Sequence, residues 1–129
     1  MHRRSLILAA LAAAALPAAA FAAGPVPFSS KEFAAAQAAD KPILVHIQAS
    51  WCTTCAAQRP ILSRLEKTPE FADLVVFNVD FDSQKTLVRK FRAQMQSTLI
   101  VYRGKTERGR STGETDPARI KALLAKAES

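Results

Sequence analysis

The chain has 129 residues, 49% of them hydrophobic and 22% charged, with only 4 Gly and 7 Pro. At roughly 100 to 200 residues per domain this is length for one domain, and the composition excludes collagen-like repetition and extensive disorder. A formal net charge of +7 gives a basic surface open to anionic partners.

The first residues read as an address. Met1-His2-Arg3-Arg4 is a short basic start, residues 6–16 are uncharged and apolar, and Pro17 precedes a small-residue stretch in which Ala20 and Ala22 form an A-x-A pair. These are the three parts of a secretory signal peptide. Cleavage is expected after Ala22, which leaves a domain over residues 23–129 and places the protein in the periplasm. An uncleaved anchor is the rival reading, opposed by the weak hydrophobicity of Ala and by Pro17. Arg3-Arg4 also suits a twin-arginine signal, although ordinary signal peptides carry such pairs too. Loss of Arg3 and Arg4 reduces the basic residues from 18 to 16 against 11 acidic ones, a net charge of +5. Basic residues gather between Arg89 and Arg110, but without interleaved aromatics and with export expected they read as a solvated face, and no nucleic acid is expected as a partner.

In the mature chain, Ser29-Ser30-Lys31-Glu32 has capping-box spacing ahead of a helix over residues 30–39. Asp40-Lys41-Pro42 stops it. Ile43-Leu44-Val45-His46-Ile47-Gln48 is the β-branched run of a buried strand. A helix follows over residues 52–67, kinked by Pro60. Residues 74–79 form a second strand, residues 86–91 a short helix, and residues 98–102 a third strand. Arg103-Gly104-Lys105 turns the chain into a fourth strand over residues 107–112. Asp116-Pro117 supplies an N-cap and a first-turn Pro for a closing helix. The alternation predicts an α/β fold with a mixed four-stranded central sheet and helices on both faces.

Cys52 and Cys55 are the only cysteines, spaced C-x-x-C between a strand and a helix. As a staple such a short loop contributes only about 2 kcal/mol in the chain-entropy model, so stability is a weak reason for it. The position suits chemistry better. The unpaired N–H groups and positive dipole end of a helix N-terminus stabilise a thiolate, which is the attacking species.

At these residues the chain resembles the thioredoxin superfamily. Ile43-Leu44-Val45 leading to Trp51-Cys52-Thr53-Thr54-Cys55, the kinking Pro60, and the segments Asn78-Val79-Asp80, Tyr102-Arg103-Gly104 and Thr112-Gly113 carry the resemblance over nearly all of the mature domain. It implies a thioredoxin-like fold and a thiol-disulfide oxidoreductase in which Cys52 is the nucleophile, Cys55 the resolving thiol, and the two form a redox disulfide. It implies protein disulfides as substrates and no cofactor. Trp51, Ser97 and Thr98 fall where substrate would dock. With neither a cation nor a His between the cysteines, a reductant recharged by a membrane electron donor is expected, acting as a monomer.

Three departures qualify the resemblance. His46 stands where many relatives carry a buried acid, Val76 where that acid has a lysine partner, and Ser97 where a cis-Pro faces the cysteines. Two readings of His46 stay open, a satisfied core histidine or a proton shuttle for Cys55 that would fail below about pH 6. A non-proline cis bond costs about 2.5 to 4 kcal/mol, so Ser97 is expected to be trans. A trans Ser97 is expected to open space above the sulfurs, and the alternative function is binding of copper or zinc by Cys52, Cys55 and His46.

Overall fold

A computed structural model describes Phe21 and residues 23–129, and the signal-peptide reading of residues 1–22 falls, Phe21 apart, outside the described residues. The elements are β1 (Pro25–Pro27), α1 (Ser30–Ala38), β2 (Pro42–Gln48), α2 (Thr53–Glu66), β3 (Val75–Asp80), α3 (Lys85–Lys90), β4 (Thr98–Arg103), β5 (Thr106–Thr112) and α4 (Pro117–Ala125). They build a five-stranded sheet in the order β1-β3-β2-β4-β5. β1, β3 and β2 are parallel, whereas β4 runs antiparallel to β2 and β5 antiparallel to β4.

The expected four-stranded sheet is thus short by one. The missing strand is Pro25-Val26-Pro27, which adds to β3 at the sheet edge. Proline cannot donate to a ladder and is confined to edge strands, strand starts and bulges, so two prolines in three residues hid the strand from a propensity reading. The other elements lie within one residue of expectation. Ser29 Oγ accepts from the Glu32 N–H at 3.3 Å and caps α1 as its spacing predicts. Asp116 occupies the N-cap position of α4 but makes no side-chain capping bond.

The sheet divides the core in two. On one face Leu44, Val76, Leu99 and Val101 pack against Ile61 and Leu62 of α2 and Ile120, Leu123 and Leu124 of α4. On the other Ile43, Val45, Ile47, Phe77 and Ile100 meet Ala36 of α1 and Val88 of α3. There Phe28, Phe33, Phe77, Phe91 and Tyr102 stack mostly edge to face, with centroids 5.3–6.4 Å apart, the arrangement favoured by ring quadrupoles. Alternation along β2 places Leu44 and His46 on the α2 face. The strand then delivers Ala49, Ser50 and Trp51 to its own carboxyl end, where α2 begins.

Candidate active site

Cys52 is the N-cap of α2 and is joined to Cys55 by a disulfide whose Cα atoms lie 5.2 Å apart. The Cys55 N–H donates to Cys52 Sγ at 3.0 Å, so sulfur takes the place that a Ser or Asp oxygen holds at an ordinary N-cap. Cys55 is fully buried and Cys52 retains 4% exposure, the pair packing with Ala49 and partly buried Phe81. When the bond is reduced, the same N–H and the positive end of the 14-residue helix favour negative charge on Cys52. The outward sulfur is therefore also the one whose thiolate the helix stabilises.

Trp51 does not fill the core. It is 59% exposed, and its Nε1 donates to Asp82 Oδ2 in the β3–α3 loop at 2.7 Å. Met95 is the other large hydrophobic residue exposed among the described residues. It sits three residues before β4 and was missed by the sequence reading, because an isolated Met in a polar segment gives no periodic signal.

His46 is buried, and its Nε2 lies 2.9 Å from Gln58 Oε1. Burial lowers its pKa from 6.5 to about 4; the Gln58 hydrogen bond opposes the shift and the Arg59 charge adds to it. His46 is accordingly neutral at pH 7. The drop below about pH 6 expected for a shuttle rested on the ordinary imidazole value, and this environment moves any such step to about pH 4. A cavity of about 170 Å3 opens beside the imidazole, lined in part by Arg59, Leu62, Glu66 and Val76. It lies along α2, and neither cysteine nor Ser97 lines it.

Ser97 is trans, as no described peptide bond is cis, and has φ +59°. It is buried, its Oγ donates to Gln96 O, and its own carbonyl accepts from Gln58 Nε2 at 3.1 Å and from the Gly113 N–H at 3.0 Å. Thr98 is buried too, its hydroxyl donating to Met95 O at 2.7 Å and lying 3.1 Å from Thr112 Oγ1. Each hydroxyl thus spends its proton within the loop, and what remains to it is the capacity to accept a hydrogen bond.

Gln58 was also missed. It is fully buried one helical turn after Cys55, on the inward stripe that continues to Ile61 and Leu62. An amide on an apolar helical stripe was the available signal. Its three partners are His46, Ser97 O and Glu114 O, the last at 3.0 Å. With Nε2 of His46 taken by Gln58, the set of two thiolates and one imidazole that the alternative function requires is not assembled, and among the described residues no three His, Cys, Asp or Glu side chains are grouped to hold a metal ion.

Comparison with known proteins matches residues 25–126 to the thioredoxin family. Thioredoxin-2 of Saccharomyces cerevisiae is 30% identical over 98 residues, which cover 75% of this chain and 91% of the yeast protein. Thioredoxin H2-1 of Oryza sativa subsp. japonica is 30% identical over 73 residues, and there the match spans 57% of this chain and only 51% of the relative. The crystal structure of Trxlp from Edwardsiella tarda EIB202 is similar with a TM-score of 0.76 and 42% identity, covering 78% of this chain and 98% of that one.

Proposed function

The chain belongs to the thioredoxin family and is a thiol-disulfide oxidoreductase, and from that premise we propose that it reduces protein disulfides in the periplasm through Cys52 and Cys55. The observation that carries this reading is the Cys55 N–H directed at Cys52 Sγ at the head of α2. In the reduced protein the Cys52 thiolate attacks one sulfur of a substrate disulfide, forming a mixed disulfide and releasing the other substrate sulfur as a thiolate. Cys55 then loses its proton and attacks Cys52 Sγ. The Cys52–Cys55 bond forms, the mixed disulfide breaks, and the second substrate sulfur leaves as a thiolate. Two electrons pass from the cysteine pair to the substrate.

The reductant direction is supported by Thr53 and Thr54 between the cysteines, which bring no cation to over-stabilise the Cys52 thiolate and so weaken its drive to give up electrons. Periplasmic placement is supported by the signal-like residues 1–22, and a protein working there as a reductant needs a membrane electron donor to recharge it. Trp51 and Met95 supply apolar surface for a substrate chain, and the protein acts as a monomer.

The test is covalent trapping in the cells that produce the protein. Cys55→Ser should accumulate mixed disulfides with periplasmic proteins, because attack survives and resolution is lost, whereas Cys52→Ser should accumulate none. The reverse pattern would exchange the two roles. Trapping of cytoplasmic proteins alone would remove the periplasmic assignment.

A further inference from the structure

We propose that Gln58 is a positioning residue that fixes the docking loop ahead of β4 relative to the redox pair, and thereby governs how well protein substrates, as opposed to small thiol reagents, reach Cys52. The inference rests on the assignment of Cys52 as the attacking thiol.

The loop needs a fastener. Ser97 has φ +59°, a left-handed conformation that disfavours a residue with a Cβ and persists only where its surroundings over-determine it. Two donors from separate parts of the chain converge on its carbonyl, Gln58 Nε2 from α2 and the Gly113 N–H from the segment after β5. Gln58 is the one that connects to the active-site helix. It lies three residues beyond Cys55, so the turn of helix that carries the disulfide also holds the loop. β4 begins beside the end of β2, with Thr98 opposite Ile47, and the loop therefore stands next to the segment that leads into Cys52.

The bonds of Gln58 leave its amide no freedom. Both N–H groups are used, one on Ser97 O and one on Glu114 O. Its Oε1 must then accept, so His46 donates from Nε2, and the neutral imidazole keeps Nδ1 unprotonated. A buried network of this kind specifies one arrangement, and losing one member leaves the polar groups it held without that partner. Met or Leu at position 58 would fill similar volume and offer Ser97 O nothing.

The experiment compares wild type with Gln58→Met. The readouts are KM and kcat for insulin reduction and the rate at which iodoacetamide alkylates Cys52 in the reduced protein. Expected is a KM raised about tenfold, the scale of one or two lost hydrogen bonds, with alkylation within about twofold of wild type because a small reagent does not use the loop. A residue that only supports folding would lower both activities together with the folded fraction, or neither, and either result overturns the proposal.

A second measurement leaves Gln58 in place. In Cys55→Ser carrying a peptide disulfide-bonded to Cys52, the Gln58 side-chain amide protons should shift in NMR spectra relative to the peptide-free protein, since the peptide bears on the loop they hold. No shift would overturn the proposal even if Gln58→Met does not fold. Failure of the wild type to reduce insulin would instead count against the reductant reading, and the NMR comparison alone would then decide the role of Gln58.

Discussion

Trp51 and Asp82 lie 31 positions apart and are joined by a 2.7 Å hydrogen bond from the indole Nε1 to Oδ2. Asp82 is itself held, because Asp80 Oδ1 accepts from the N–H groups of Asp82 at 2.8 Å and Ser83 at 3.2 Å. The loop after β3 thus presents a fixed acceptor to the ring beside Cys52. A large apolar ring is held on the surface by this bond.

Asp82→Ala should release the ring. Trp51 is the only Trp in the chain, so its fluorescence anisotropy reports that motion directly and should fall. Stability should drop by about 1 kcal/mol or less, as is usual for an exposed bond. Asp82→Asn, which retains an acceptor, should keep the anisotropy near wild type. Unchanged anisotropy in Asp82→Ala would mean that packing, not this bond, orients Trp51.

The cysteine pair carries its own prediction. In the reduced protein, alkylation should modify Cys52 well before Cys55, and the pH midpoint of that reaction should lie below the ordinary thiol value of about 8.5. Mass spectrometry of partly alkylated protein locates the label. Preferential labelling of Cys55, the more deeply buried sulfur, would contradict the assignment.

His46 makes stability depend on pH with a defined sign. Its folded pKa of about 4 lies below the 6.5 of the unfolded chain, so between those values the unfolded state binds more protons. Stability fully present above about pH 6.5 is lost as pH falls towards 4, and the loss amounts to about 3 kcal/mol. The raised pKa of Glu66 acts in the opposite sense and is shared by any His46 variant. Urea unfolding of wild type and His46→Leu at pH 7, 5.5 and 4.5 isolates the contribution of His46. The gap between the two proteins should narrow as the pH falls, and a constant gap would rule it out.

Legibility followed the reach of each signal. Local patterns were readable: the β-branched run of β2, the Ser29 and Glu32 spacing that caps α1, and the C-x-x-C spacing that puts one sulfur at a helix N-terminus. β1 was not, because three residues with two prolines pair only when β3 is already in place. The environment of His46 was not readable either, since burial and the Arg59 charge lower its pKa and the Gln58 hydrogen bond opposes them, and both residues arrive from a different element. The absence of proline at Ser97 was plain in the sequence, but what replaces it was not. Gln58, Gly113 and Ser97 are brought together only by the folded sheet.

Substitutions at Ser97 test that replacement. Gly accepts φ +59° without a Cβ penalty while adding freedom to the unfolded chain, so Ser97→Gly should stay within about 1 kcal/mol of wild type. Pro is confined to φ near −65° and cannot adopt this backbone. Ser97→Pro must therefore rebuild the loop and withdraw the carbonyl from Gln58 and Gly113, and a loss of about 2 kcal/mol or more is expected from two broken buried bonds. Urea unfolding measures both variants, and amide exchange at Gly113, which donates to Ser97 O, should accelerate only in the proline variant. Equal stability and equal Gly113 protection in Ser97→Pro would show that the loop reaches the same position without the left-handed turn, leaving its shape to the Thr98 contacts with Met95 and Thr112.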